Sequence, residues 1–144
     1  MVEFKFVVND VKSGKSYQKA LDTEVFIGKK IGEKVEGSLV GLKGYELKIT
    51  GGSDKSGFPM RKDIEITGRK KILSRKSIGI KINEKGKRIR KTVRGSVISD
   101  QTSQINLKVE KYGADSIPKL LGIEEKKEEV KEEKKPEAPK EQKK

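Results

Sequence analysis

Tyr45-Glu46-Leu47-Lys48-Ile49-Thr50-Gly51-Gly52 is the stretch on which the fold class turns. Tyr45, Leu47 and Ile49 alternate with Glu46, Lys48 and Thr50, the period of two that puts apolar side chains on one face of a strand and polar ones on the other. The same alternation opens the chain, where Val2, Phe4, Phe6 and Val8 interleave with Glu3, Lys5 and Val7. Weaker versions recur at Ile64 and Ile66, at Ile78, Ile80 and Ile82, over residues 88–93 and over residues 105–109. Residues 9–15 contain Asn, Asp, Ser and Gly and predict a hairpin turn, with residues 16–21 as the return strand. Residues 35–42, broken by Gly37 and Gly41, predict short bent pieces; residues 24–31 read either as a short strand or as a turn of helix.

Composition agrees. There are 11 Val and 14 Ile against 8 Leu and 3 Ala, a bias that suits a pleated surface better than a helix bundle. All 15 Gly fall within the first 122 residues, where they punctuate short strands. Ser116-Ile117-Pro118-Lys119-Leu120-Leu121-Gly122 predicts one short helix, with Ser116 as N-cap and Gly122 at its end. The expectation is a mainly β protein, a compact small barrel of seven to nine short strands with one short C-terminal helix. Residues 124–144 hold 8 Glu and 8 Lys with almost nothing to bury, which predicts a disordered or marginally helical tail. The organisation expected is a barrel domain over residues 1–123 followed by that tail.

The chain of 144 residues has no Cys, no His and no Trp. Disulfide scaffolds, thiolate or imidazole metal sites and every Ser-His or Cys-His mechanism are thereby excluded. Residues 1–8 are too short and too charged for a signal peptide, and no apolar run approaches a membrane span. A cytoplasmic protein is expected, with no cofactor, metal, membrane or small-molecule partner.

Charge is the principal clue to function. The formal net charge is +13, and residues 61–94, with 14 basic and 3 acidic side chains, carry +11 of it. A solvated face mixes both signs; a one-sign block repels itself and calls for a counter-charge. Within Lys87-Arg88-Ile89-Arg90-Lys91-Thr92-Val93-Arg94-Gly95, a strand sends Arg88, Arg90, Thr92 and Arg94 to one face at about 6.6 Å spacing and turns Ile89, Lys91 and Val93 to the other. Guanidinium groups bind phosphate bidentately and desolvate readily. The candidate RNA-binding residues are Arg61, Lys62, Arg69, Lys70, Lys71, Arg75, Lys76, Lys85, Lys87, Arg88, Arg90, Lys91 and Arg94. None of the seven aromatics lies in residues 61–94, so base stacking is not the expected mode there; recognition of backbone and shape in structured RNA is.

Two glycine segments differ in weight. Ser13-Gly14-Lys15-Ser16 ends like a phosphate-binding loop, but the Gly required five positions before Gly14 is Asn9, and a hairpin turn explains the residues. In Leu47-Lys48-Ile49-Thr50-Gly51-Gly52-Ser53-Asp54-Lys55-Ser56-Gly57-Phe58-Pro59-Met60, a strand runs into a double glycine. Gly51 and Gly52 permit positive φ and close approach of another backbone, Asp54 can close an Asx-turn, Gly57 can take a left-handed position, and Pro59 stiffens the exit so that Phe58 and Met60 re-anchor the loop. Gly51, Gly52, Asp54, Lys55, Gly57 and Pro59 are the loop candidates; local physics leaves an ordinary rigid loop and a functional one equally open.

This glycine segment, from Ile49 to Met60, resembles the signature of a eukaryotic and archaeal small-subunit ribosomal protein family, the S-six-e type. Phe4 to Asp10, Gly37 to Tyr45 and Arg88 to Gly95 resemble its other blocks, so the likeness covers nearly all of residues 1–122. It implies a β-barrel bound to small-subunit ribosomal RNA, with neighbouring ribosomal proteins as further partners. Eukaryotic members continue into a long basic helix and an Arg-rich tail with kinase sites. This chain has a neutral Glu/Lys tail and no Ser or Thr after Ser116, so the resemblance is to the short archaeal form and kinase regulation does not carry over. The rival readings are a free-standing RNA- or DNA-binding regulatory barrel, an enzyme using Asp22, Asp54, Asp63 or Glu65 to bind magnesium, and a protein-binding adaptor; the last leaves the +11 block without a role.

Overall fold

The computed structural model describes residues 2–121; the 124–144 tail, the boundary at 123 and Gly122 lie outside the described residues. Among the described residues seven strands form: β1 (Glu3–Asn9), β2 (Ser16–Asp22), β3 (Lys34–Glu36), β4 (Glu46–Asp54), β5 (Arg69–Ser74), β6 (Ile89–Arg94) and β7 (Thr102–Lys111). Among them also are a 3-10 turn over Gly37–Val40 and a short helix, α1, over Ile117–Leu120. Ser116 precedes α1, but its side chain makes no capping bond.

The main sheet has the order β2-β1-β7-β4-β3 and curls into a half-barrel, the form the expected small barrel takes. All of its pairings are antiparallel except β1 with β7, which run parallel and bring the two ends of the described chain to the middle of the sheet. The predicted alternation builds the core. Phe4, Phe6 and Val8 of β1, Leu47 and Ile49 of β4, and Ile105, Leu107 and Val109 of β7 are buried along one face. Phe26, from the 24–29 turn, packs on Phe6 with ring centroids 4.7 Å apart. Each of these side chains contributes about 1.5–3 kcal/mol by leaving water. Residues 24–31 form neither a strand nor a helix: they run through a bend and turn over 24–28 and a single bridge of Lys30 to Val97.

The glycine segment is the far end of β4 and the hairpin that follows it. A bulge at Thr50 shifts the β4–β7 register, and Gly51 and Gly52 then pair with Asn106 and Ile105. Neither glycine uses the positive φ open to it, because both remain in the extended strand. The expected close backbone approach is found at Gly52, where an added Cβ would stand 2.2 Å from the Gln104 carbonyl oxygen, whereas at Gly51 it would meet nothing within 4 Å. Gly52→Ala is therefore expected to destabilise by about 2 kcal/mol or more, and Gly51→Ala to stay within about 0.5 kcal/mol of wild type, in urea titrations. Equal effects would refute this assignment of the close contact.

Beyond Asp54 the chain turns on Gly57, at φ +80°, and returns with the Asp54 N–H donating to the Phe58 carbonyl (3.0 Å) and the Met60 N–H to the Gly52 carbonyl (3.0 Å). Met60 enters the core, as expected, while Phe58 stays half-buried. β5 and β6 form a separate two-stranded ribbon. It is joined to the hairpin where the Arg94 N–H donates to the Pro59 carbonyl and the Arg61 N–H to the Arg94 carbonyl, both 3.0 Å.

Two predicted strands do not form. Ile64 and Ile66 lie in a loop that Ser96 and Gly95 pack against. Ile78, Ile80 and Ile82 lie in a turn and an irregular segment, because Gly79 adopts a left-handed φ of +73° that interrupts any strand. Ile80 and Ile82 are nevertheless buried, while Ile78 is exposed.

Candidate nucleic-acid interface

The ribbon pairs Arg69 with Arg94, Lys71 with Thr92 and Leu73 with Arg90 on one face, and Lys70 with Val93, Ile72 with Lys91 and Ser74 with Ile89 on the other. Strand pleating puts directly opposite residues on the same side. On the second face Val93 is buried and Ile72, Ser74 and Ile89 are half-buried, while Lys70 and Lys91 reach solvent. The first face is open at its far end, where Lys71, Leu73 and Arg90 are exposed. Residues 75–88 connect the strands and add Arg75, Lys76, Lys81, Lys85, Lys87 and Arg88, all exposed.

At the root of the ribbon the same face is covered. The Asp54 side chain, fully buried, accepts from Arg69 Nε at 2.7 Å and from Arg94 Nη1 at 2.6 Å on the one oxygen Oδ2. Its other oxygen accepts the Ser56 N–H at 3.3 Å, the expected Asx-turn. Arg94, 3% exposed, also donates to the Thr67 carbonyl (3.0 Å) and to Ser99 Oγ (2.5 Å). Arg69 bonds Ser56 Oγ at 2.9 Å and lies over the Phe58 ring, 4.9 Å from its centroid, so the half-exposed aromatic of the motif holds a cation in place. The two guanidinium groups, Arg69 first, hold the Asp54 carboxyl far below the usual carboxylate range against the opposing effect of burial. Because Arg69 and Arg94 are cross-strand partners, one carboxylate of the glycine hairpin clamps both strands of the ribbon.

The thirteen basic candidates therefore divide. Lys62, Lys70, Lys71, Arg75, Lys76, Lys85, Arg88, Arg90 and Lys91 are exposed and make no ion pair among the described residues. Lys87 is exposed but bridges to Glu84 at 2.7 Å. Arg69 is partly exposed and paired with Asp54. Two candidates depart from the outward orientation expected of them. Arg94 shares the face of Arg90 as predicted but is buried, because the Asp54 hairpin covers that face at the root. The Arg61 side chain, 13% exposed, pairs with Asp63 and donates to Ser77 Oγ at 2.9 Å. Lys81, absent from the candidates, is a tenth exposed cation without an ion pair among the described residues; the signal for it was its place inside the basic block, between Ile80 and Ile82.

The loop residues serve mainly to hold this arrangement. Gly52 admits the β7 backbone, Gly57 makes the turn, and Pro59 lies against Gly79 so closely that a Cβ there would stand 2.3 Å from Pro59 Cγ. Lys55 is exposed, with its N–H bound to the Gln101 carbonyl at 3.0 Å. Asp54 is committed to two guanidinium groups, and among the described residues no cluster of three acidic or other metal-ligating side chains occurs. Ser13 and Lys12 close a turn on Asp10, through Ser13 Oγ at 2.6 Å and the Lys12 N–H at 2.9 Å, with Gly14 at φ +67°. This is the expected hairpin turn. Among the described residues no helix is long and apolar enough to cross a membrane.

Comparison with known proteins bears on the same residues. The chain is 51% identical over 120 residues to the small ribosomal subunit protein eS6 of Methanocaldococcus jannaschii, covering 83% of this chain and 92% of that protein. It is 47% identical to the eS6 protein of Archaeoglobus fulgidus, over 78% of this chain and 90% of that one. Against the eS6 protein of Haloarcula marismortui the identity is 44%, over 85% and 97% of the two chains. All three carry the name of a ribosomal protein, none that of an enzyme. The profile of the family described as ribosomal protein S6e matches residues 4–122, a span that takes in the sheet, the clamped hairpin and the whole basic ribbon, and the chain belongs to that family.

Proposed function

We propose that this protein is a structural constituent of the small ribosomal subunit, located in the cytoplasm, that binds ribosomal RNA by neutralising phosphates and so supports translation. The observation that carries this reading is the block of residues 61–94. It concentrates +11 of the net charge and leaves ten exposed cations without an ion pair among the described residues. Such a surface is costly in isolation and is stabilised by a polyanion, whose condensed counterions are released on binding. Absence of aromatics from the block favours contact with backbone rather than bases. The sheet and the Asp54 clamp serve as the rigid mount, and the exposed Lys55 side chain extends the surface toward RNA or a neighbouring ribosomal protein, while the N–H groups of Asp54, Lys55, Ser56, Gly57 and Met60 are spent on acceptors within the fold.

Binding of the full chain to small-subunit ribosomal RNA is expected to weaken steeply with salt. For about 8 phosphate contacts, log affinity falls against log salt with a slope of roughly −6 to −7. Filter-binding between 50 and 200 mM salt reads the slope; a nearly flat dependence would overturn charge neutralisation as the mechanism.

A further inference from the structure

We infer that a single ribose-phosphate strand of the RNA lies in a basic trough across the 75–88 connection, a path that rests on the RNA-binding reading above. Two clefts meet at Lys76. The first, of about 610 Å³, is lined by Lys76, Lys81 and Lys91 together with Ser77, Gly79 and Ile80, and no carboxylate lines it. The second, of about 440 Å³, is lined by Arg75, Lys76, Lys85 and Lys87 with Ile82 among others; its one carboxylate, Glu84, is engaged by Lys87. Three ammonium groups facing one cleft without a counter-charge repel one another, and a run of phosphates relieves that repulsion. The clefts have an apolar component as well, since the buried Ile80 and Ile82 contribute to them. Basic rims over an apolar floor complement a strand that is phosphate on one edge and ribose C–H on the other, and with no aromatic lining either cleft the bases are left pointing away.

The trough is also held rigid. Gly79 packs on Pro59, and Ser77 accepts a bond from the inward-turned Arg61 Nη1 at 2.9 Å. Pro59 and Arg61 thus serve the interface through the wall they support, and a site preformed in this way loses little freedom on binding.

Amine-reactive footprinting of the full chain, with and without small-subunit ribosomal RNA, tests the path. Lys76, Lys81 and Lys91 are expected to be protected severalfold more than Lys5 and Lys108 on the main sheet. Lys76→Ala combined with Lys81→Ala is expected to weaken RNA binding about tenfold or more and to reduce the salt slope by about two. The trough is overturned if the three lysines label equally with and without RNA, or if the double variant loses no more than Lys5→Ala with Lys108→Ala. It is also overturned as a strand path if tripolyphosphate at equal phosphate concentration protects the three lysines as well as RNA does, which would make it a site for free polyanions. A wild-type protein lacking steep salt dependence would instead remove the RNA-binding reading itself.

Discussion

Asp54→Ala is expected to lower the unfolding free energy by about 3–5 kcal/mol, the range for removing one partner of a buried ion pair. The mechanism is specific to this site. Arg94 is 3% exposed, and its remaining partners, Ser99 Oγ and the Thr67 carbonyl, are uncharged acceptors. With Asp54 gone, a guanidinium stays buried without a counter-ion, and the clamp between the hairpin and both ribbon strands is lost. Arg69→Ala removes the other half of the clamp but leaves Asp54 paired with Arg94, so its effect is expected to be the smaller. The Asp54 carboxyl is held far below its ordinary value in the folded protein, by Arg69 foremost, so its contribution is complete above the unfolded value near about pH 4 and is lost as pH falls toward the folded value. The gap between wild type and Asp54→Ala should accordingly be largest near neutrality and narrow on acidification below about pH 4. Urea titrations at pH 7 and pH 3 read both numbers. A gap below about 1 kcal/mol at pH 7 would show that the clamp is not a stabilising element.

How far these features were legible in the sequence depends on whether they are local. β1, β4 and β7 were readable because Phe4, Phe6 and Val8, or Ile105, Leu107 and Val109, impose burial at a period of two on one continuous strand. The parallel pairing of β1 with β7 was not, because alternation fixes a face without fixing a partner. Ile78, Ile80 and Ile82 gave the right period and the wrong element, since one left-handed glycine breaks a strand without erasing the pattern around it. Asp54 reads as a turn former, but its guanidinium partners lie 15 and 40 positions away, and local spacing cannot show such a clamp. The burial of Arg94 is hidden from the sequence for the same reason. The alternation placed it correctly on the face of Arg90, and only the tertiary approach of the hairpin turned an outward cation into a buried one.

That distinction between clamped and free cations decides the strongest functional test. Substituting glutamate at Lys71, Arg88 and Arg90 together is expected to abolish incorporation into small-subunit particles and to weaken RNA binding by about a thousandfold or more at physiological salt. The salt slope should fall by about three, one for each phosphate contact removed. All three side chains are exposed and make no ion pair among the described residues. Reversing them strips nothing from the core and eases the self-repulsion of the block, so the unfolding free energy should stay within about 0.5 kcal/mol per substitution. Arg94→Glu is the instructive contrast, because it sets a second carboxylate beside buried Asp54 and is expected to unfold the ribbon root, losing incorporation through stability instead of affinity. Sedimentation of tagged variants with small subunits, read beside thermal melts of the purified proteins, separates the two routes. A folded triple variant that sediments with the particle at the wild-type level would mean that the exposed cations of the ribbon face something other than RNA, and the phosphate-neutralisation mechanism would have to be given up.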